Sequence, residues 1–327
     1  MSSLANTATT NTATATAKSV LAANFPHERD NNIEFYSQGH RYEIRTDPRK
    51  RYTSVTTLVH KQFPKFDADA IIGKIMRSKG WVPGHKYWGL TAEEIKELWN
   101  LNGAAAAGSG TNLHEQIELF MNDSRFNFVY THKELLQEYN ISKQYLEETQ
   151  VPEFEQSPCV TAFMNQNQCK PYYIQQGIIQ EQTPATEWDF FIQFIADHPH
   201  LKPYRTEWLI YHEDVKVAGS IDMVYENPDG TLEIYDWKRC KDIIKVNDWN
   251  ETSTNPLLKH IPATNFWQYS LQLNLYKRIL EDKYGKTVTK LCLVRLHPDN
   301  PEETYELLEV PFMTAEIDTI LSLKSTL

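Results

Sequence analysis

The apolar positions of the chain follow two periods, one of strands and one of helices. From Glu34 the run EFYSQGHRYEIR is rich in strand formers around Gln38-Gly39 and predicts a hairpin. Ser54 then precedes a short apolar stretch and predicts a capped helix through Leu58 and Val59. Residues 68–101 predict further helices, broken near Gly80 and Pro83-Gly84. Ala104–Ala107 leads into Gly108-Ser109-Gly110, which reads as a flexible or tight approach to the next helix. In that helix Leu113, Ile117, Phe120 and Met121 form an apolar stripe, and His114 and Glu118 share a face beside it. Residues 188–198 predict an amphipathic helix. Thr206–His212 predicts a strand with Glu207, Leu209 and Tyr211 on one face. Val215–Arg239 predicts two strands joined by a turn. A helix at 266–282, a strand at Lys290–His297 and an amphipathic helix at 314–325 close the chain.

This pattern divides the chain into a disordered leader at 1–30, a hairpin and helical region at 31–105, and a core at 106–327 with a helical insertion at about 125–200. The first 18 residues are mostly Ala, Thr, Ser and Asn, too polar to order themselves and without a secretory apolar stretch. No window approaches 18 consecutive apolar residues, so no membrane partner is expected. The four cysteines, Cys159, Cys169, Cys240 and Cys292, have no metal-site spacing and are expected as free thiols in an intracellular, reducing compartment.

Charge changes this picture locally. The net charge of −10 speaks against a general nucleic-acid binder. Yet Arg45–Lys86 holds ten Lys/Arg against three Asp/Glu. Arg51 and Lys61 flank the helix that Ser54 caps, and exposed N–H groups beside cations suit a phosphate. An ordinary capped helix reads the same residues equally well.

The candidate chemistry lies in the Val215–Arg239 pair of strands. In LEIYDWK, Asp236 and Lys238 share a face with Leu232 and Ile234. Asp222 lies on the preceding strand, and the turn decides whether it meets Asp236. A four-residue loop, Asn227–Gly230, would put the two aspartates on opposite faces. A three-residue loop ending at Gly230 would set them directly opposite, and Gly suits the left-handed position that such loops require. The three-residue loop is predicted. Two carboxylates about 4 Å apart repel by roughly 4 kcal/mol at an effective dielectric of about 20, which favours a proton or a cation between them. Carboxylate oxygens suit Mg²⁺ or Mn²⁺. Lys238 could orient a water and offset charge on a phosphate. His114 offers an imidazole ligand, and Glu207 a further acid. Gln268, Gln272 and Tyr276, at four-residue steps on a helix expected to be buried, could pin the catalytic strand or hydrogen-bond a nucleic-acid backbone.

Taken in order, GTNLHEQIE, GSIDMV, IYDWK and QLNLY resemble the PD-(D/E)XK nuclease superfamily and, within it, the RecB-like exonucleases. That group includes the mitochondrial genome maintenance exonucleases, with lambda exonuclease a more distant relative. The resemblance implies an α/β fold, with a central mixed sheet flanked by helices; the basic Arg45–Lys86 stretch and the N-terminal helices would guide the DNA strand with salt-dependent affinity. It implies His114, Asp222, Asp236 and the Trp237 carbonyl as ligands of one or two Mg²⁺ or Mn²⁺ ions, and Lys238 as the catalytic lysine. Glu207 matches a less regular acidic position. Gln272 and Tyr276 would contact DNA or support the site. The closely spaced cysteines of iron–sulfur relatives are missing, so no such cluster is expected. The expected activity is a metal-dependent exonuclease acting on single- or double-stranded DNA with a free end, in replication, repair or recombination. Without a P-loop motif, unwinding would fall to a helicase, with a polymerase or single-strand-binding protein as further partners. A structure-selective endonuclease and a non-catalytic nucleic-acid-binding module are the alternatives.

Overall fold

The computed structural model describes residues 20–122, 131–137, 139–140, 187–247 and 250–325. The hairpin forms as β1 (Ile33–Tyr36) and β2 (Arg41–Ile44), paired antiparallel, with Gly39 at φ +80 in the turn. β3 (Thr53–Ser54) runs into α2 (Val55–His60), whose first turn Ser54 caps by accepting from Thr57 N at 3.1 Å. α3 (Ala68–Met76) and α4 (Ala92–Met121) follow. The core then continues as α5 (Glu187–Asp197), β4 (Pro203–His212), β5 (Val217–Glu226), β6 (Leu232–Lys238), α6 (Asn265–Lys283), β7 (Val288–Arg295), β8 (Glu306–Glu309) and α7 (Thr314–Ser325).

Six strands make one mixed sheet. β5 pairs antiparallel with β4 along one edge. Along its other edge it has two partners: β3 runs parallel to it at Val217–Ala218, and β6 antiparallel at Met223–Glu226. β6 continues parallel to β7, and β7 antiparallel to β8. The two pairings leave Gly219–Asp222 between them without a ladder partner on that edge, and the sheet forks there. Helices cover both faces, as the resemblance implies. Val224, Leu232 and Ile234 pack with α2, α6 and α7. Met223, Tyr235 and Trp237 pack with the C-terminal part of α4 and with α5, where Phe191 meets the Trp237 ring edge-on at 5.6 Å. Each such fully buried side chain contributes about 1.5–3 kcal/mol by leaving water.

Two expectations are corrected. The sequence predicts a disordered leader through residue 30. Instead, α1 (Val20–Asn24) buries Leu21, whose N–H donates to Asn122 Oδ1 at 3.1 Å, and Asp30 pairs with Arg205 at 2.8 Å. Those partners lie a hundred residues or more away, out of reach of a local reading. The flexible approach at Gly108–Gly110 is instead helix, because α4 runs unbroken over 30 residues. Four alanines, the best helix formers, offset glycines that cost about 1 kcal/mol each. The leader before Val20 and most of the insertion at about 125–200 lie outside the described residues. Cys240 and Cys292 are free. Among the described residues no helix is long and apolar enough to cross a membrane.

Candidate active site

The turn between β5 and β6 is the three-residue one. Asn227 N–H donates to Thr231 O at 2.8 Å and closes the turn, and Gly230 takes φ +81. The ladder pairs Met223 with Tyr235 and Glu226 with Leu232, so the same register carries Asp222 opposite Asp236. At that point the strands part, and Asp222 Oδ2 accepts from Trp237 N at 3.0 Å. Across β5, Glu207 takes φ +43, a left-handed conformation in the middle of β4 between the pairs Thr206–Met223 and Trp208–Ile221. Such backbone costs about 1–3 kcal/mol in a residue with a side chain. Here it falls on an acid facing the fork.

α4 supplies the imidazole. His114 Nδ1 lies 3.5 Å from Glu207 Oε1 and 3.7 Å from Asp222 Oδ2, while Nε2 is 3.0 Å from the Trp237 carbonyl. With Nε2 donating to that carbonyl, the ring is oriented so that Nδ1 faces the carboxylates. Ser220 Oγ donates to Glu207 Oε2 at 2.9 Å. One ligand atom from each of His114, Glu207 and Asp222 lies within 4.8 Å of the others.

Asp236 belongs to the same fork but to a second set of contacts. It is 1% exposed. Lys238 Nζ lies 2.5 Å from Asp236 Oδ2, a buried ion pair inside the fork. Gln272 Nε2 donates to Asp236 Oδ1 at 3.1 Å and to Tyr276 Oη at 3.3 Å. Lys238 Nζ also stands 4.5 Å from the centre of the Tyr269 ring. Gln272 thus ties α6 to β6 through Asp236. Tyr276 reaches the fork because Gly219 has no side chain: a Cβ there would lie 2.7 Å from the Tyr276 ring.

The resemblance implies Asp236 among the ligands and gives Glu207 a less regular acidic position in the same site. In the close cluster of the structure Glu207 stands with His114 and Asp222, and Asp236 lies behind, held by Lys238 and Gln272. Gln268 is half-buried one turn before Gln272. Ser54 spends its hydroxyl on the α2 cap beside β5. Arg51 is exposed just before β3, and Lys61 is exposed at the far end of α2, so the structure brings neither into the cluster. Tyr269 was missed, although 269, 272 and 276 share a helical face. Tyr42 of β2 was also missed; burial, with Glu207 and Asp222 nearby, pushes its hydroxyl up to about 12. Nothing in the hairpin sequence signals that contact.

The electrostatics show a cluster short of positive charge. Burial pushes the Asp222 carboxyl up and Glu207 adds to this, against His114 and Lys238. Burial likewise pushes Asp236 up, to about 7, with Lys238 opposing and Asp222 reinforcing. Glu118, one turn beyond His114, is pushed up to about 7 by burial and then by Glu207 and Glu115. Burial alone would lower the His114 imidazole, but Asp222 and Glu207 together hold it up at about 9. The Lys238 ammonium is held above its ordinary range for the same reason: Asp236 and Asp222 outweigh its burial. The mixed N/O donor set and the left-over negative charge fit a divalent cation.

No family model and no curated protein matches the chain. Among solved structures it is similar to a candidate exonuclease from Eubacterium rectale, at 12% identity and TM-score 0.24, over 65% of this chain and 70% of that one. It is also similar to SSO0001, at 12% identity and TM-score 0.20, over 60% and 71% of the two chains. Likeness this low carries nothing about function.

Proposed function

We propose that the chain is a metal-dependent nuclease that hydrolyses phosphodiester bonds at DNA ends, as an exonuclease in replication, repair or recombination. One observation carries the reading: a helix and two strands converge His114, Glu207 and Asp222 within ligand distance, and Asp236 and Lys238 face them across the fork. His114, Glu207 and Asp222 would hold Mg²⁺ or Mn²⁺, with Asp236 and the Trp237 carbonyl as the further ligands the sequence resemblance suggests. When bound, the ion supplies positive charge opposite a phosphate and makes water a stronger acid.

The rest falls to the protein. Lys238 keeps its proton, held up by the two aspartates, so it acts as a fixed cation and hydrogen-bond donor rather than as a base. Its ammonium would orient the attacking water and offset charge growing on the phosphate oxygens. Gln272 holds Asp236, and Asp236 holds Lys238, so the donor is set before substrate arrives. Glu207 and Ser220 fix the open side of the cluster, where Glu207 is 33% exposed.

The test is digestion of end-labelled linear and circular DNA, single- and double-stranded, with Mg²⁺ or Mn²⁺. Linear DNA should be degraded from its ends and covalently closed circles left intact. Lys238→Ala and Asp236→Ala should each cut at least about 10²–10³-fold more slowly while melting as folded proteins. Full activity in either variant, or in excess EDTA, would overturn the reading; cleavage of closed circles would make the enzyme an endonuclease.

A further inference from the structure

The connection between α3 and α4, with Phe66 just before α3 and Trp99 on α4, carries a chain of aromatic rings outside the three hydrophobic cores. Phe66 meets Trp99 at 6.0 Å between centroids, Trp99 meets Tyr87 at 6.1 Å, and Tyr87 meets His85 at 5.8 Å. His85 then meets Trp81 at 5.1 Å, and Trp81 meets Trp88 at 5.7 Å. The Trp99 indole donates to Tyr87 Oη at 3.0 Å, which fixes the middle of the row to α4. Phe66 is 73% exposed and Trp88 46%, and none of the six is buried. A contiguous row of half-buried to exposed rings outside any core marks a binding site more often than single exposed side chains do.

Charge selects the occupant. Residues 61–90 hold six Lys/Arg and two Asp/Glu in a chain whose net charge is −10. Lys65, Arg77, Lys79 and Lys86 are exposed, and Lys86 Nζ stands 5.2 Å from the Tyr87 ring centre. Exposed rings between exposed cations match the two surfaces of an unpaired nucleic-acid strand, whose bases stack and whose phosphates pair. A duplex hides its base faces and offers only the phosphates.

We infer that this row is a stacking ledge for the unpaired bases of a nucleic-acid strand. The ledge and the candidate cluster share α4: fifteen residues separate Trp99 from His114, about 22 Å at 1.5 Å per residue. As a route for substrate the inference rests on the nuclease reading; as a binding surface it does not.

The experiment separates the two. Binding of fluorescent oligo-dT and of a blunt duplex to the full chain is measured in EDTA by anisotropy, alongside quenching of the protein's own tryptophan fluorescence. Metal-dependent hydrolysis of thymidine 5′-p-nitrophenyl phosphate, too small to span about 22 Å, reports the cluster alone. The wild type should bind oligo-dT tighter than duplex, with tryptophan quenching that persists at high salt. Trp81→Ala and Trp88→Ala should each weaken oligo-dT binding about tenfold, and leave hydrolysis of the small ester unchanged. Unchanged oligo-dT affinity in both variants, equal losses for duplex, or ring exposure lost only through self-association of the protein would overturn the ledge. If the small ester is never cleaved while oligo-dT binding still depends on Trp81 and Trp88, the ledge stands and the nuclease reading fails.

Discussion

Two groups of half-buried to buried charges meet β4, and they differ in burial and in how much positive charge each carboxylate finds. In the first, Asp30 Oδ2 takes Arg205 at 2.8 Å and His27 N at 2.9 Å, and Oδ1 takes the Trp208 indole at 2.9 Å. Burial raises Asp30, but Arg205 and the other donors outweigh it and hold the carboxyl below its usual range. Glu213, paired with Arg29 at 2.6 Å, is held low against burial in the same way. In the second group two cations, His114 and Lys238, are shared among three acids, with one neutral donor each (Ser220 to Glu207, Trp237 N to Asp222, Gln272 to Asp236), and the two aspartates are pushed up by burial instead. Donor-rich acids fasten one segment to another. Donor-poor acids store a demand for positive charge, which is what a cation site requires.

The comparison breaks if the two groups respond alike to mutation. Removing Arg205 leaves the half-buried Asp30 without its ion-pair partner, though His27 N and the Trp208 indole still donate to it, so Arg205→Ala should cost about 1.5–3 kcal/mol in urea unfolding, with DNA cleavage retained well below the melt. Asp222→Asn should do the reverse. The folded pKa of Asp222 lies above its unfolded value, so this group's contribution to stability falls as pH rises from the unfolded pKa through the folded one. At neutral pH in EDTA, Asp222→Asn should therefore melt higher, by about 0.5–2 kcal/mol, and cleave nothing. The amide oxygen can still accept from Trp237 N. Destabilisation in that variant would show that the cluster is structural.

A smaller effect sharpens the comparison with a buried group that stays neutral. His132 is fully buried, with Nε2 2.9 Å from Tyr225 Oη, and burial pulls its pKa down to about 3. Because the folded pKa lies below the unfolded 6.5, the unfolded chain takes the proton first, and stability falls as pH drops from about 6.5 toward 3. Between pH 7.5 and 5.5 this residue should remove about 1.4 kcal/mol, and His132→Phe should flatten that part of the pH–stability curve. An unchanged slope in the variant would place the acid sensitivity elsewhere.

Much of the architecture was legible because it rests on local period. Asp222 opposite Asp236 followed from Gly230, the one residue suited to the left-handed position of a three-residue turn. The burial of α6, with Gln272 and Tyr276 inside, followed from its nearly continuous apolar face. What was not legible depends on distant contacts. Glu207 joins His114 through a left-handed residue inside a strand, and no propensity predicts that. Tyr42 comes to the acids on a hairpin 165 residues earlier in the chain than Glu207. The start of order at Val20 depends on Asn122 and Arg205.

By itself, then, the sequence determined the kinds of groups and their strand and helix phases: an imidazole beside an apolar stripe, two acids and a lysine on facing strands, glutamines on a buried helix. These are set by side-chain chemistry and backbone period, which act within a few residues. Tertiary structure alone decided which acid stands nearest the imidazole. It set Glu207 in the close group and gave Asp236 to Lys238 and Gln272, because β5 changes partners at Gly219–Asp222 and opens a fork that only packed helices and strands can hold apart.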